Sequence, residues 1–499
     1  MYRIGTGDCF TLKFFKDDTG QPSFTMMIDC GSCKGDSAKF TRFVQLISAD
    51  LPDKRLDLLV ITHEHLDHII GFSRAQAEFK KLKVGQVWVG WTEDPTNTLA
   101  AHLKEKYGKD VKALKTAIQK MSAFLADPDY HARFTGEFSG TRIMAAKSSF
   151  SRGLEESLAL YQDPAPLGVT GKAKGKKAVA DAAAPAAGAP APGEMARAMD
   201  YILNGLRAQT GQAPFYCYPG KPVPALPGTE GIRFYVLGPP ENEAALKTEE
   251  VKDDVYDRKT SFSQNQGFNA ALEGNTDEDS LPFLSCFAMN PDEKKAAYKK
   301  FFDQPDNRYR NIDTDWLNYA GALAIRLEKY INNTSLVLAL EFTGSGKVLL
   351  FPGDAQSGNW ESWHDPALNW KIEKGGQTLT VTATDLLNRT VFYKVGHHLS
   401  HNGTASRSGL DQMQSPELVS LATLDYNNIN TIWKNTMPSP GVLTTLTAKA
   451  KGRVFRIDEG LLQTPAALAE RDKMSKAGAD AFAASYKVDP DFIELSFNG

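Results

Sequence analysis

Residues 56–70 read LDLLVITHEHLDHII. Leu56–Thr62 is a short, nearly continuous apolar run, the pattern of a strand buried on both faces. It leads directly into His63, His65, Asp67 and His68, and residues 68–82 then follow a helical pattern. The chain has 9 histidines in 499 residues, so a chance H-x-H-x-D-H has a probability on the order of 10⁻⁴. Ligands gather at the carboxyl ends of strands in layered α/β folds, and this cluster falls at such an end. On an extended turn, His63 and His65 project to one side and can share a metal ion. Asp67 and His68 then reach a second ion a few ångströms away. Imidazole and carboxylate are ligands for Zn²⁺, Mn²⁺ or Fe²⁺. Two ions roughly 3.5–4 Å apart can share a hydroxide, which becomes the nucleophile at neutral pH. The competing reading, stacked turn histidines, leaves unpaired imidazoles and a carboxylate to be desolvated at high cost.

The same strand-end arrangement recurs further along the chain. Asp354 follows the strand-like LLF of KVLLFPGD, and His397, His398 and His401 follow RTVFYKVG. Asp29 ends SFTMMID. A lone strand-end Asp is ordinarily a turn former; together with the first cluster, Asp354 becomes a candidate ligand able to bridge two ions. Asp29 is a candidate support for a ligand from behind, in competition with a turn role before Gly31. His102 and His131 lie in polar helical stretches and read as surface residues.

Outward from this core, residues 1–95 alternate strand and helix. TGDCFTLKFF, SFTMMIDCG and VGQVWVG are strand-like, and SAKFTRFVQLI places Phe40, Phe43, Val44 and Ile47 on one helical face. Residues 96–163 look mainly helical. Residues 164–195 are rich in Ala, Pro, Gly and Lys with almost no large apolar residue, a composition that cannot offset its ordering entropy, so a flexible linker is expected there. The KAKGKK run at 172–177 reads as solvated linker charge. Strand patterns return at 231–240, at 332–342 and 347–354 around a turn at Thr343–Gly346, and at 389–398, with helix, glycine turn and strand over 441–460. The expected organisation is one discontinuous domain, 1–95 and 231–465. It is interrupted by the helical insertion (96–163), the linker (164–195) and the remainder of the insertion (196–230 and 241–330). A C-terminal extension, 466–499, is expected to carry a helix and a short strand.

Lys and Arg total 57 and Asp and Glu 60, a net charge of −3. This excludes a generally basic nucleic-acid coat and an acidic disordered tail. A hydrophobic fraction of 42% is that of a chain with a sizeable core. The longest apolar runs fall short of a membrane span, and the first residues lack a signal-peptide pattern. The 5 cysteines, an odd and sparse set, do not form a disulfide framework. A cytoplasmic location is the expectation. Cys30 and Cys33 read as small residues around a glycine turn rather than as a redox or zinc motif.

These motifs resemble the metallo-β-lactamase superfamily, on Asp29 with Gly31, the H-x-H-x-D-H of 63–68, Asp354 and a late strand-end histidine. More narrowly they resemble the soluble nuclease-type domain of the competence protein ComEC family. That resemblance is carried by Gly5-Thr6-Gly7-Asp8, Asn332-Asn333-Thr334-Ser335-Leu336-Val337-Leu338, Gly353-Asp354, Lys394-Val395-Gly396-His397-His398-Leu399-Ser400 and Ile457-Asp458-Glu459-Gly460. It covers a little over half the chain. It implies an αβ/βα sandwich with a large, mainly helical insertion, and a hydrolase using one or two divalent ions, Zn²⁺ or Mn²⁺. It implies that His63 and His65 hold one ion, Asp67 and His68 the other, that Asp354 bridges, and that His397 completes the second site. His398 and Ser400 are then assigned to substrate phosphate or proton donation. Asp67 belongs to the catalytic machinery as well, and Asp29, Asn333 and Lys394 support the ligands. The third histidine found between these motifs in many members is lacking, so the first ion is expected to be weakly held. Leu399 and Ile457 replace the family's Gly and Thr, and Leu399 suggests an altered loop shape.

The function expected is a metal-dependent phosphodiesterase or nuclease acting through a metal-bound hydroxide, with nucleic acid or a phosphodiester small molecule as its partner. One alternative is a small-molecule ester or phosphodiester hydrolase, favoured by the near-neutral charge, which argues against long-duplex binding. A further alternative is a sensor or effector component that docks a partner protein through the insertion. The same lack of membrane segments argues against a role in DNA import.

Overall fold

The computed structural model describes residues 1–16, 20–109, 193–248, 250–251, 253–256, 330–429, 434 and 437–499. The chain divides into two units. One takes in residues 1–102, 162–258 and 329–499; of the other, 103–161 and 259–328, only Leu103–Lys109 are described. Most of the helical insertion, the linker up to residue 192, the KAKGKK run and His131 therefore lie outside the described residues. His102 is exposed on a helix.

The first unit is a mixed α/β structure with two large sheets and two strand pairs. Strands β1 (Phe10–Phe14), β2 (Phe24–Ile28), β3 (Arg55–Val60), β4 (Lys83–Gly90) and β5 (Phe215–Cys217) form a five-stranded sheet in that order. β1 and β2 are antiparallel and the rest parallel. The second sheet has seven strands, β6 (Ile232–Gly238), β7 (Val337–Phe342), β8 (Val348–Phe351), β11 (Thr390–Lys394), β12 (Val419–Ala422), β13 (Val454–Arg456) and β14 (Gly460–Leu461), in the order β14-β13-β12-β11-β8-β7-β6. Strands β9 (Trp370–Lys374) and β10 (Gln377–Val381) form a separate hairpin.

Apolar side chains of both sheets meet in one core. Phe10, Met26, Ile28, Leu58, Val60 and Trp88 pack with Leu338, Leu349, Phe351, Phe392, Leu421 and Phe455. The continuous apolar run at 56–62 is explained by this burial. Leu58 and Val60 enter the inter-sheet core, while Leu56 and Leu59 are buried outside it. On the far side of the second sheet, α4 (Ser357–Ser362), α5 (Ala383–Asn388) and α6 (Pro440–Lys449) contribute Trp360, Leu386, Leu387, Val442 and Leu446 to a second core, joined by Trp363. Helix α1 (Ser37–Asp50) begins at Asp36, whose side chain accepts from the Lys39 amide at 2.9 Å, and it buries the four residues its spacing indicates.

Two stretches differ from expectation. Residues 194–195, assigned to the linker, open helix α3 (Glu194–Asp200). Glu194 is buried there because Arg74 of α2 (Leu66–Arg74) donates to its two carboxylate oxygens at 2.8 and 3.0 Å. Residues 466–499 carry two helices, α7 (Pro465–Arg471) and α8 (Lys476–Ala484), and a strand pair, β15 (Tyr486–Val488) and β16 (Ile493–Leu495). Phe482 and Tyr486 pack their rings on Phe455, and Ile493 receives the Met1 ammonium. Among the described residues, no helix is long and apolar enough to cross a membrane.

Candidate metal centre

Strand register brings the candidate residues together. Ile28 pairs with Val60 in the first sheet, so Asp29 and Thr62 emerge side by side. In the second, Tyr393 pairs with Leu350 and Lys394 with Leu421, so the segments carrying Asp354, His398 and Thr423 leave the sheet together. The turn after β3 faces those segments.

Four donors converge: Asp67, His68, Asp354 and His398 each offer a ligand atom, all within 4.8 Å of one another, and all four residues are buried. His398 Nε2 lies 2.9 Å from Asp67 Oδ2 and 3.2 Å from Asp354 Oδ2. His68 Nε2 lies 3.2 Å from the same Asp354 oxygen, with no well-formed hydrogen bond of its own. The rings are oriented from behind. Asp29 Oδ2 accepts from His68 Nδ1 at 2.7 Å, and the carboxylate is fixed by the Thr62 hydroxyl on Oδ2 and the Thr62 amide on Oδ1. Thr423 Oγ1 sits 2.8 Å from His398 Nδ1. This is the arrangement that selects a tautomer and aims the other nitrogen at an ion.

The electrostatics follow. Burial alone would lower the pKa of His68, but Asp354, Asp8, Asp29 and Asp67 outweigh it and hold the imidazole well above its usual range. The same contest, decided by Asp354 and Asp67, pushes His398 up to about 9. Burial would raise Asp67 and Asp354. The imidazoles, and at Asp354 also Lys394, hold both carboxyls below their usual range.

His63 and His65 form a second pair beside this group, with the His63 ring centroid 4.2 Å from that of His68. His63 Nε2 is 3.0 Å from His65 Nδ1, and His63 Nδ1 lies 3.1 Å from Thr62 Oγ1 and 3.3 Å from Ser335 Oγ. Burial, reinforced by neighbouring imidazoles, lowers His63 and takes His65 to about 4. Both are therefore neutral at pH 7. The Asn332 carboxamide lies against His65.

The two late histidines are placed otherwise than expected. His398, rather than His397, joins Asp67, His68 and Asp354. His397 Nδ1 is 2.8 Å from Ser400 Oγ, and its Nε2 is 3.3 Å from Asn332 Nδ2. Burial lowers His397 to about 4. The reason is the backbone: His397, His398 and Leu399 have φ of 43°, 49° and 69°, a left-handed run that reverses which ring faces the cluster. Leu399 thus occupies the region where glycine is favoured. Ser400 is buried, donating toward His397 or Asn402 rather than into open space. Asn333 touches none of the imidazoles; it braces the Leu246 and Thr248 carbonyls and the Gln356 amide. Its neighbour Asn332 is the one beside them. Lys394 is buried and holds Asp354 Oδ1 at 3.0 Å and Asp8 Oδ2 at 2.8 Å. His401 pairs with Glu250 at 3.0 Å, away from the cluster.

Sequence reasoning quoted Asp8 only as part of a motif. Its backbone N–H donates to Asp67 O at 3.0 Å and its carbonyl accepts from Gly31, so the residue ties three loops. Gly31 lies so close to Asp67 that an added Cβ would sit 2.3 Å from its carbonyl carbon. Cys33, of intermediate burial, donates weakly to Asp67 Oδ2 at 3.6 Å.

The donors fit a divalent ion. Two carboxylates and two oriented imidazoles are ligands suited to Zn²⁺ or Mn²⁺, and the buried His68 Nε2 lacks a proper partner of its own. No curated protein and no solved structure matches the chain. The sequence model of the metallo-beta-lactamase superfamily matches residues 20–85. That span contains β2, β3 and the H-x-H-x-D-H turn, so this part of the chain is similar to a superfamily of metal-dependent hydrolases.

Proposed function

We propose that the chain is a metal-dependent hydrolase of phosphodiester bonds, with nucleic acid as the leading substrate class. The observation that carries the metal-dependent reading is the buried group Asp67, His68, Asp354 and His398, braced by Asp29 and Thr423. A divalent ion held by these residues supplies Lewis acidity to a water and to an ester or phosphoryl oxygen. The chain's own residues orient and screen the site. Asp29 fixes the His68 ring, and Thr423 the His398 ring. His65 and His397 are neutral and bonded to Asn332, so this side of the site adds no positive charge and is built of uncharged polar groups. The motif blocks resembling the ComEC-type nuclease domain support phosphodiesters over other esters.

A second reading keeps the chemistry and takes a small ester or phosphodiester. It is favoured by Lys394 being spent on Asp8 and Asp354, which removes it as a phosphate contact, and by the net charge of −3. The free cysteines Cys9, Cys30, Cys33 and Cys217 suit the reducing cytoplasm proposed for the protein.

The test is hydrolysis of bis(p-nitrophenyl) phosphate, p-nitrophenyl acetate, single- and double-stranded DNA, and RNA by the full chain, with chelation and metal add-back. Phosphodiester cleavage lost to chelator and restored by Mn²⁺ or Zn²⁺ is expected. In Asp67→Ala it should fall about 100-fold or more, roughly 3 kcal/mol of barrier. Cleavage that survives Asp67→Ala refutes the proposal, and acetate turnover without phosphodiester turnover selects the second reading.

A further inference from the structure

Lys394 is the unusual member of the site. The residue is 1% exposed, at the end of a strand buried along its whole length. Three oxygens surround its ammonium: Gly353 O at 2.7 Å, Asp8 Oδ2 at 2.8 Å and Asp354 Oδ1 at 3.0 Å. The other oxygen of Asp8 is buried without a hydrogen-bond partner. A backbone carbonyl and two carboxylates around one buried positive charge form the oxygen set that a hard cation takes. Asp354 is divided between two neighbourhoods: Oδ1 faces the ammonium, and Oδ2 faces His68 and His398.

The His63–His65 pair is poorer in donors. Its imidazoles contact each other, two hydroxyls, the Asn332 carboxamide and the His68 ring. Among the described residues, no other His, Cys, Asp or Glu joins them in a metal-holding group. Beside the four-donor seat the site therefore contains a three-oxygen seat filled by a lysine, and a third group, Asp8, Asp29 and His68, in which Asp29 already engages His68 Nδ1.

We propose that Lys394 is a built-in cation: its ammonium occupies a second hard-cation seat made by Asp8, Asp354 and the Gly353 carbonyl, so that the centre binds a single divalent ion per chain. Lys394 is then a positioning residue. It neutralises Asp8, pins Asp354 by one oxygen and leaves the other for the ion. This rests on the reading of Asp67, His68, Asp354 and His398 as the ion's ligands. Removing the ammonium while keeping its oxygens should convert a one-ion centre into a two-ion centre.

The test is equilibrium dialysis of the full chain against Mn²⁺, with metal counted per chain and the electron paramagnetic resonance spectrum recorded. Wild type should bind one equivalent with an uncoupled spectrum. Lys394→Ala should bind two, with an exchange-coupled spectrum, because the two seats share the Asp354 carboxylate. Asp8→Asn combined with Lys394→Met removes both the charge and a ligand, and should stay at one. Wild type binding two coupled equivalents overturns the proposal, as does a folded Lys394→Ala that stays at one. The wild-type count is decisive by itself should Lys394→Ala fail to fold. A wild type that binds no Mn²⁺ or Zn²⁺ overturns the proposed function instead.

Discussion

Asp29 follows β2 with its carboxylate held by Thr62 and 2.7 Å from His68 Nδ1. A carboxylate at a strand end invites two readings, turn former and ligand support, and spacing alone does not separate them. The register of β2 on β3 does, because it sets Asp29 against Thr62 and 2.7 Å from His68 Nδ1. His397 and His398 are the opposite case. Both residue types and their strand-end placement were visible, but the ring that enters the cluster is decided by three successive left-handed residues, conformations that non-glycine side chains adopt at a cost of about 1–2 kcal/mol each. Nothing in the letters HHL announces that. Lys394 was read as a support for the ligands, but its burial as a charge was not legible, since its partner Asp8 is hundreds of residues away. At this scale the expected outcome for Asp29→Asn is concrete. The amide can still occupy the space, but it loses the charge that holds the His68 ring. Metal affinity should drop by about 10–100-fold, read by competition with a chelating dye, with the fold retained by circular dichroism. An affinity equal to wild type would remove Asp29 from the site.

Elements were readable where burial imposed a pattern of sufficient length. β3, β4, β7 and α1 are such cases. β12 is four residues long and β14 two, too short for any period to emerge. The β9–β10 hairpin exposes most of β10, so its sequence lacks an apolar stripe. What positions the site is the packing of the connecting loops, and two glycines permit it. A Cβ on Gly7 would meet the Asp67 carbonyl oxygen at 2.5 Å, and one on Gly31 the Asp67 carbonyl carbon at 2.3 Å and the His68 nitrogen at 2.4 Å. These contacts are with backbone at the start of α2, which cannot swing aside. Gly31→Ala should therefore destabilise the chain by about 2–3 kcal/mol or more and weaken metal binding together with stability. Gly344, in the β7–β8 turn, has open space around it, so Gly344→Ala should stay within about 0.5 kcal/mol. Denaturant midpoints of the two variants, compared side by side, check this. A Gly31→Ala chain as stable as Gly344→Ala would mean that the loops are not held by this close approach.

Across the whole molecule, a net charge of −3 conceals how unevenly charge is buried. Asp8, Asp29, Asp67 and Asp354 are sequestered in one place with Lys394 and five imidazoles, and composition cannot report such a concentration. Its consequence is a pH profile. His398 rises from 6.5 to about 9 on folding of the metal-free chain, and His68 rises too. Their stabilisation is complete below pH 6.5 and is lost as pH rises through the folded values. His65 and His397 fall from 6.5 to about 4. Their contribution is complete above pH 6.5 and is lost as pH falls through 4, where the depressed carboxyls Asp67 and Asp354 begin to add losses of the same sign. Each shift of that size corresponds to roughly 3 kcal/mol. The metal-free chain should therefore be most stable near pH 6.5 and weaken on both sides. Ion binding requires unprotonated His68 and His398, so loading replaces the proton-dependent contact with a proton-free one and should flatten the alkaline limb up to pH 9 while leaving the acid limb in place. Thermal melts from pH 4 to 10, with chelator and with Mn²⁺ or Zn²⁺, measure both limbs. An alkaline limb of equal slope in the two series would show that His68 and His398 are not the groups an ion engages.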